Sequence, residues 1–248
     1  MTQFLTTAAG RRIAYHRTPG TGPGVVFLGG YRSDMTGTKA VHLQHWAEGC
    51  GRAFLRFDYS GHGQSSGRFE EGGIGDWFAD ALAVLEGLTE GPQVLVGSSM
   101  GGWISLLVAR ARPGRVAGLV GIAAAPDFTA DLMWDSYSDD QKALLLGQGW
   151  LAEPSEYSDQ PNIITKTFLD DGAKYLVLRA PLNLPFPVRL LQGTADVDVP
   201  PSVALRLMDH ATCPDLRLTL VKGADHRFST PDCLDLMTAT IEEVLRHA

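Results

Sequence analysis

Residues 93–110 read QVLVGSSMGGWISLLVAR, and this stretch decides how the fold is organised. Gln93–Val96 is a short, mostly apolar run that predicts a buried strand, and the residues from Gly102 onward have the composition of a helix. Between them, residues 97–101 match the pattern G-x-S-x-G. A serine in this context occupies a strained turn that exposes its hydroxyl at the end of a sheet, and glycine fits the crowded neighbouring positions. The stretch therefore predicts that Ser99 is a nucleophile.

Strands and helices alternate along the chain on both sides of this turn. An opening hairpin is predicted from Phe4–Thr7 and Arg12–Arg17. Apolar and β-branched runs predict further strands at Val25–Leu28, Ala53–Phe57, Val116–Ala123, Val188–Gln192 and Leu216–Val221. Between the strands, helices are predicted at Thr36–Gly49, Gly75–Leu88, Pro201–His210 and Pro231–His247. This order predicts an α/β fold, with a mostly parallel, twisted sheet covered by helices on both faces.

One long segment interrupts the alternation, from residue 127 to about residue 185. Short helical pieces are separated there by prolines and by seven aromatic residues, Phe128, Trp134, Tyr137, Trp150, Tyr157, Phe168 and Tyr175. We interpret residues 127–185 as a small, helical, lid-like insertion within a single domain of residues 1–248. The aromatic residues of the insertion either belong to the ordinary core or line a pocket, and the sequence does not choose between these two roles.

The composition limits the partners of the protein. The formal net charge is -7, which repels phosphate backbones and makes nucleic acid an unexpected partner. No apolar stretch is long enough to span a bilayer and no secretory signal is present, so stable membrane insertion is not expected. The three cysteines, Cys50, Cys213 and Cys233, show no paired spacing, which favours a reduced, cytoplasmic location. No pattern indicates the oligomeric state.

Two loops downstream of Ser99 contain the partners that a nucleophilic serine needs. A serine hydroxyl becomes reactive when a base takes its proton, and a histidine does this at neutral pH when an acid orients it. His226 follows the last predicted strand, and Asp196 follows the strand before it. Because ligands bind at the carboxyl ends of strands in open α/β sheets, both residues are expected at the edge that carries Ser99. The sequence therefore predicts the catalytic residues Ser99, Asp196 and His226.

Two other residues, Asp198 and His62, are alternatives for the acid and the base. Asp198 competes with Asp196 as the acid. Asp198 also has two simpler interpretations, as a solvated loop carboxylate or as a negative charge near a helix N-terminus. His62 competes with His226 as the base, because it lies between two glycines in a loop that follows a strand. We favour Asp196 and His226, and we expect His62 to shape its own turn by hydrogen bonding.

These motifs together resemble those of the α/β-hydrolase superfamily. The resemblance lies in residues 28–31 (LGGY), residues 57–65 (FDYSGHGQS), the turn at Ser99, and the loops of Asp196 and His226. Within the superfamily, the chain is similar to the branch of palmitoyl-protein thioesterases and acyl-glucuronide esterases. That similarity lies in residues 30–31, residues 35–40 (MTGTKA), residues 97–103 (GSSMGGW) and residues 225–227 (DHR).

The resemblance implies a serine hydrolase that cleaves acyl esters or thioesters through an acyl-enzyme and requires no cofactor. It also implies an oxyanion hole formed by the backbone N–H groups of Tyr31 and Met100. Many relatives have histidine where this chain has Gly29, but the donor is a backbone group, so this change does not remove the hole. No metal is expected, since His42 and His45 share one helix face without a third ligand.

Other functions on the same fold stay open at this point. Lactone opening, peptide cleavage and cofactor-free perhydrolysis use the same nucleophile, and a catalytically silent binding protein is a further alternative. A serine rather than an aspartate at position 99 argues against dehalogenase or epoxide hydrolase chemistry. A binding role does not require a serine, an acid and a histidine together, so their joint presence favours an enzyme.

Overall fold

The computed structural model describes residues 1–154 and 161–248. Its strands are β1 (Gln3–Thr6), β2 (Arg12–Thr18), β3 (Thr21–Leu28), β4 (Arg52–Phe57), β5 (Gln93–Ser98), β6 (Val116–Ile122), β7 (Trp150–Glu153), β8 (Asn162–Thr165), β9 (Leu182–Asn183), β10 (Val188–Gly193), β11 (Ala211–Thr212) and β12 (Leu216–Val221). Its α-helices are α1 (Thr38–Cys50), α2 (Ile74–Leu88), α3 (Met100–Ala111), α4 (Asp139–Gln148), α5 (Lys166–Gly172), α6 (Pro201–His210) and α7 (Pro231–His247).

The main sheet has eight strands in the order β1-β2-β4-β3-β5-β6-β10-β12. The first two strands pair antiparallel, as does β2 with β4, and the remaining neighbours pair parallel. Two separate apolar clusters cover the two faces of this sheet, one around Trp77 of α2 and Trp103 of α3, the other around Leu43 of α1 and Met237 of α7. The prediction of a mostly parallel sheet with helices on both faces is confirmed.

The central helix α3 is buried all round from Met100 to Ala109, whereas α7 buries only one side. The longest, α7, buries Cys233, Met237, Ile241 and Val244, which recur at three- and four-residue spacing along one face of the helix. In the part of the chain that the structure describes, no helix combines the length and the apolar character that a bilayer crossing needs.

The interrupting segment contains more than the helical pieces that its sequence predicts. A π-helical turn at Thr129–Trp134 is followed by α4 and α5, but β7 and β8 also pair antiparallel as a separate two-stranded sheet. The sequence did not reveal these strands, because four residues are too short for an alternating pattern to emerge. Tyr157, one of the seven aromatic residues, lies outside the described residues.

Asp127 joins the two ends of this segment. Its buried carboxylate accepts hydrogen bonds from the backbone N–H of Val177 at 2.8 Å and of Leu178 at 3.0 Å. It also accepts one from Arg179 Nη1 at 2.9 Å. Asp127 therefore holds the start of the segment against residues 177–179 near its end, and its own backbone is in the left-handed region at φ 58°.

Replacing Asp127 with alanine should destabilise the protein substantially. Two buried N–H groups would lose their acceptor, and each unsatisfied buried group costs about 1–3 kcal/mol. We therefore expect the free energy of unfolding, measured by urea denaturation, to fall by about 2–4 kcal/mol. Asp170→Ala is the matched control, since the exposed pair of Asp170 with Lys166 at 2.5 Å should contribute about 0.5 kcal/mol or less. Equal effects of both substitutions would contradict this role of Asp127.

Candidate active site

Ser99 occupies a strained turn between β5 and α3. Its backbone has φ 53° and ψ -119°, a combination that a residue with a side chain rarely adopts. The turn is held by the Ser99 N–H, which donates to the carbonyl of Ile122 at 2.9 Å, and by the Ser99 carbonyl, which accepts from Ala125 at 3.1 Å. The hydroxyl consequently projects from the end of the sheet, as the sequence pattern predicts.

Glycines on both sides of Ser99 are required by close backbone packing. A Cβ atom at Gly97 would lie 2.3 Å from the carbonyl oxygen of Gly101, and one at Gly101 would lie 2.0 Å from the carbonyl oxygen of Leu28. Any side chain at these positions would push α3 away from the ends of β5 and β3. The first and last residues of the G-x-S-x-G pattern therefore set the position of Ser99 relative to the sheet.

The structure brings His226 and Asp196 together with Ser99. His226 Nε2 lies 3.1 Å from Ser99 Oγ, and His226 Nδ1 lies 2.9 Å and 3.1 Å from the two carboxylate oxygens of Asp196. The three residues follow β5, β10 and β12 at the same edge of the sheet. The Nε2 atom of the imidazole is thus placed to exchange a proton with the serine, while the Nδ1 atom is held by the carboxylate.

Asp196 is buried and receives several N–H donors. Its carboxylate accepts hydrogen bonds from Gln192 Nε2 at 2.9 Å and from the backbone N–H of Val199 at 2.8 Å, in addition to His226. Burial alone raises the pKa of Asp196, but these hydrogen bonds outweigh it and hold the pKa below its ordinary value. The carboxylate therefore remains ionised at neutral pH beside His226. Asp198, the alternative acid, is exposed and donates its own N–H to Asp196 at 3.1 Å.

Met100 and the loop of Tyr31, which are the predicted sources of the oxyanion donors, both lie near Ser99. Met100 is the first residue of α3, so its N–H has no carbonyl partner within the helix. The loop after β3 passes close to the serine, since a Cβ atom at Gly30 would lie 3.4 Å from Ser99 Cβ. Tyr31 follows directly in this loop and lines the same cavity as Ser99. The roles of Met100 and Tyr31 as oxyanion donors stay a prediction.

His62 lies apart from this group. Its ring is buried in edge-to-face contact with Tyr59, Phe69 and Trp77, and its Nδ1 pairs with the carbonyl of Ser60 at 3.2 Å. Burial lowers the pKa of His62 to about 4. A histidine held neutral within an aromatic cluster and bonded to its own turn supports the turn, as the sequence predicts, rather than the chemistry at Ser99.

A cavity of about 710 Å³ lies above Ser99, within the size range of small-molecule sites. Part of its wall is apolar and belongs to the segment of residues 127–185, namely Phe128, Leu132, Met133, Tyr137 and Ile164. Phe128 and Tyr137 are the aromatic residues of the segment that line the cavity, whereas Phe168 packs behind Tyr31 and Trp150 is half exposed. The segment thus contributes both to the core and to the cavity wall.

Asp196, Asp198 and His226 are the one group of potential metal ligands that clusters within residues 1–154 and 161–248, with ligand atoms within 4.8 Å of one another. Both carboxylate oxygens of Asp196 already accept hydrogen bonds from N–H groups. A cation there would have to displace these donors, so the group fits an acid and base pair better than a metal centre.

Several polar residues of the cavity, Lys39 among them, were not assigned a role from the sequence. Lys39 lines the cavity together with Ser99 and His226, and its ammonium group donates to the carbonyl oxygen of Arg227. Lys39 lies in the stretch of residues 35–40 that carries part of the family resemblance, but the resemblance assigned it no role. A lysine in a helix, 188 positions away from its partner, gives no spacing pattern that predicts such a contact.

Comparison with known proteins identifies related chains along almost the whole length. A model of the "Alpha/beta hydrolase family" matches residues 25–235. The chain is 38% identical over 234 residues to the rat protein named "Palmitoyl-protein thioesterase ABHD10, mitochondrial". This alignment covers 94% of this chain and 78% of the rat protein. The human protein of the same name is 35% identical over 243 residues, covering 98% of this chain and 79% of the human one.

Solved structures show the same similarity. The structure of "Alpha/beta hydrolase domain-containing protein 10 from mouse" superposes with a TM-score of 0.92 at 35% identity, covering 99% of this chain and 98% of the mouse one. A structure from Agrobacterium vitis S4 superposes with a TM-score of 0.94 at 42% identity over the same shares of the two chains. The similarity therefore extends from the sheet to the segment that forms the cavity wall.

Proposed function

The chain belongs to the alpha/beta hydrolase family, and from that premise we propose that it hydrolyses acyl thioesters or esters through Ser99, His226 and Asp196. The observation that carries the proposal is the imidazole of His226, which lies 3.1 Å from Ser99 Oγ on one side and 2.9 Å from Asp196 on the other. The relatives named palmitoyl-protein thioesterases support an acyl substrate.

The first half of the reaction transfers the acyl group to Ser99. His226 Nε2 takes the hydroxyl proton as Ser99 Oγ attacks the acyl carbonyl, and Asp196 stabilises the imidazolium that forms. The N–H groups of Tyr31 and Met100 bind the tetrahedral oxyanion, and one such donor typically contributes about 2.7–4 kcal/mol to the transition state. The carbonyl then re-forms, and the proton on His226 passes to the departing thiolate or alkoxide.

The second half releases the acid. A water molecule occupies the position of the leaving group, His226 removes one of its protons, and the resulting hydroxide attacks the acyl-enzyme carbonyl. Collapse of the second tetrahedral intermediate breaks the bond to Ser99 Oγ, which recovers its proton from His226. The cycle consumes one water and needs no cofactor, and a thiolate is the easier leaving group because it requires less protonation than an alkoxide.

The cavity wall from residues 127–185 holds the acyl group in this proposal. Its apolar side chains face the cavity beside Ser99, so a longer acyl chain removes more apolar surface from water. In this proposal the segment is a lid-like insertion within a single domain. A cytoplasmic location, expected from the cysteines, stays a prediction, since the names of the mammalian relatives place those proteins in mitochondria.

An acyl-chain series tests this function. We expect wild-type protein to hydrolyse both p-nitrophenyl esters and acyl thioesters, with kcat/KM rising about fourfold at most per added methylene, because each buried CH₂ contributes about 0.8 kcal/mol. The rise should end at the chain length that fills the cavity. Rates are measured by release of p-nitrophenol and of free thiol.

A pair of leucine variants from the same segment sharpens this test. Leu132 lines the cavity, whereas Leu146 lies on the exposed side of α4. Leu132→Ala should therefore change the preferred chain length, and Leu146→Ala should leave it unaltered. Rates that are independent of chain length, together with turnover of lactones or peptides, would contradict the acyl-hydrolase proposal.

A further inference from the structure

Lys39 connects α1 to the loop that carries His226. Its ammonium group donates a hydrogen bond to the carbonyl oxygen of Arg227, the residue directly after His226. The side chain also lines the cavity above Ser99, so the contact lies at the candidate site itself. Residues 35–40, which contain Lys39, take no part in the reaction described above.

The contact begins a row of three bonds between α1 and the end of the chain. Lys39, His42 and Trp46 are spaced three and four residues apart and so lie on one side of α1. His42 Nε2 pairs with Thr238 Oγ1 at 3.0 Å, and Trp46 Nε1 donates to Glu242 Oε1 at 3.0 Å, both on α7. The bond of Lys39 differs from these two because its acceptor lies in the loop before α7, next to the proposed base.

The other anchors of this loop connect it to the loop of Asp196. Gly223 N–H donates to Thr194 Oγ1 at 2.9 Å, and the carbonyl of Ala224 accepts from Ala195 at 3.0 Å. Ser229 Oγ also donates to the Arg227 carbonyl at 2.8 Å, but this bond lies within the turn and cannot fix the turn relative to the sheet. The bonds of Gly223 and Ala224 fix the loop of His226 relative to the loop of Asp196. The bond of Lys39 fixes the same loop relative to α1, which follows the loop of Tyr31.

We propose that Lys39 is a positioning residue, which holds the loop of His226 so that Nε2 stays within hydrogen-bond reach of Ser99 Oγ. The inference rests on the proposed function, in which His226 is the base. A displacement of about 1 Å at a reacting group can lower a rate about 100-fold, so a single bond at this place has a large effect on catalysis. Lys39 itself does not touch the reacting atoms in this role.

The electrostatic setting makes this contact sensitive to pH. Burial lowers the pKa of Lys39 to about 8, with the carboxylate of Asp225 opposing the shift and Arg227 adding to it. The position in the first turn of α1 also disfavours a positive charge. The titratable and charged groups around this end of the cavity are Arg32, Asp34, Asp198, Asp225, His226 and Arg227. The ammonium form, which is the stronger donor, is thus lost as the pH rises through about 8.

Three variants test the inference on p-nitrophenyl acetate, a small neutral ester that offers no anion for a lysine to bind. We expect Lys39→Met to lower kcat and the rate of fluorophosphonate labelling about tenfold or more, with KM changed by less than about twofold. Lys39→Arg should recover activity to within about threefold of wild type. Because an arginine stays charged, this variant should also keep its kcat above pH 8, where the kcat of wild type declines.

Trp46→Phe is the matched control for helix docking. It removes one bond between α1 and α7 and leaves the loop of His226 untouched, so its kcat should remain within about twofold of wild type. Thermal melting shows that each variant is folded. Full kcat in Lys39→Met, an equal loss in Trp46→Phe, or a Lys39→Arg protein as impaired as Lys39→Met would overturn the inference. An inactive and unlabelled wild type would overturn the proposed function and this inference together.

Discussion

Ser99→Ala should abolish both ester hydrolysis and covalent labelling by a fluorophosphonate probe. The hydroxyl is the atom that forms the acyl-enzyme, so without it His226 and the backbone donors have no nucleophile to act on. We expect kcat to fall by at least about 10⁴-fold, leaving only the rate that binding and oxyanion stabilisation provide. Hydrolysis of p-nitrophenyl acetate and gel fluorescence after labelling measure the two effects independently.

The adjacent serine provides the matched control for this prediction. Ser98 is buried at the end of β5 and belongs to the same turn, but no contact places its hydroxyl against His226. Ser98→Ala should therefore keep its labelling and most of its activity. If Ser98→Ala lost labelling while Ser99→Ala retained it, the nucleophile would be assigned to the wrong residue, and labelling of both variants would point to a different site.

The turn at Ser99 and the loops of Asp196 and His226 were predicted well from the sequence. At these places the local sequence pattern and the packing of the whole fold require the same residues. The strand, the two glycines and the helix around Ser99 are continuous in sequence, so their pattern is visible without long-range information. The loops of Asp196 and His226 were placed correctly at one edge of the sheet because parallel strands align their carboxyl ends. These residues still await tests of their roles.

The remaining features depend on contacts between distant residues. The pairing of β7 with β8 joins two four-residue strands of which neither has a distinctive pattern, and it forms only within the folded segment. Which aromatic residues face the cavity depends likewise on how that segment packs, so Phe128 and Tyr137 could not be separated from Phe168 in advance. The bond from Lys39 to the carbonyl of Arg227 involves a backbone acceptor, which every residue possesses, and therefore leaves no signature in the sequence.

The second large loss of activity is expected when Asp196, the proposed acid, is replaced. Asp196→Asn should lower kcat about 10³- to 10⁴-fold with little change in folding, because the amide keeps the shape of the carboxylate but not its charge. The carboxylate accepts a hydrogen bond from the N–H at His226 Nδ1 and so keeps the proton on that nitrogen, which leaves Nε2 free to accept the proton of Ser99. An asparagine can donate to Nδ1 instead and thereby favour the tautomer with its proton on Nε2, which cannot act as the base.

Asp198→Asn separates this mechanism from a general effect of negative charge near His226. Asp198 is exposed, lines the same cavity and lies two residues from Asp196, so its replacement removes one charge at almost the same place. Because Asp198 is exposed and solvent screens its charge, its replacement should change kcat by no more than about twofold. A larger loss in Asp198→Asn than in Asp196→Asn, measured on the same ester at the same pH, would transfer the role of the acid to Asp198. Comparable losses in both would mean that the summed charge near His226, and not the tautomer that Asp196 selects, supports the base.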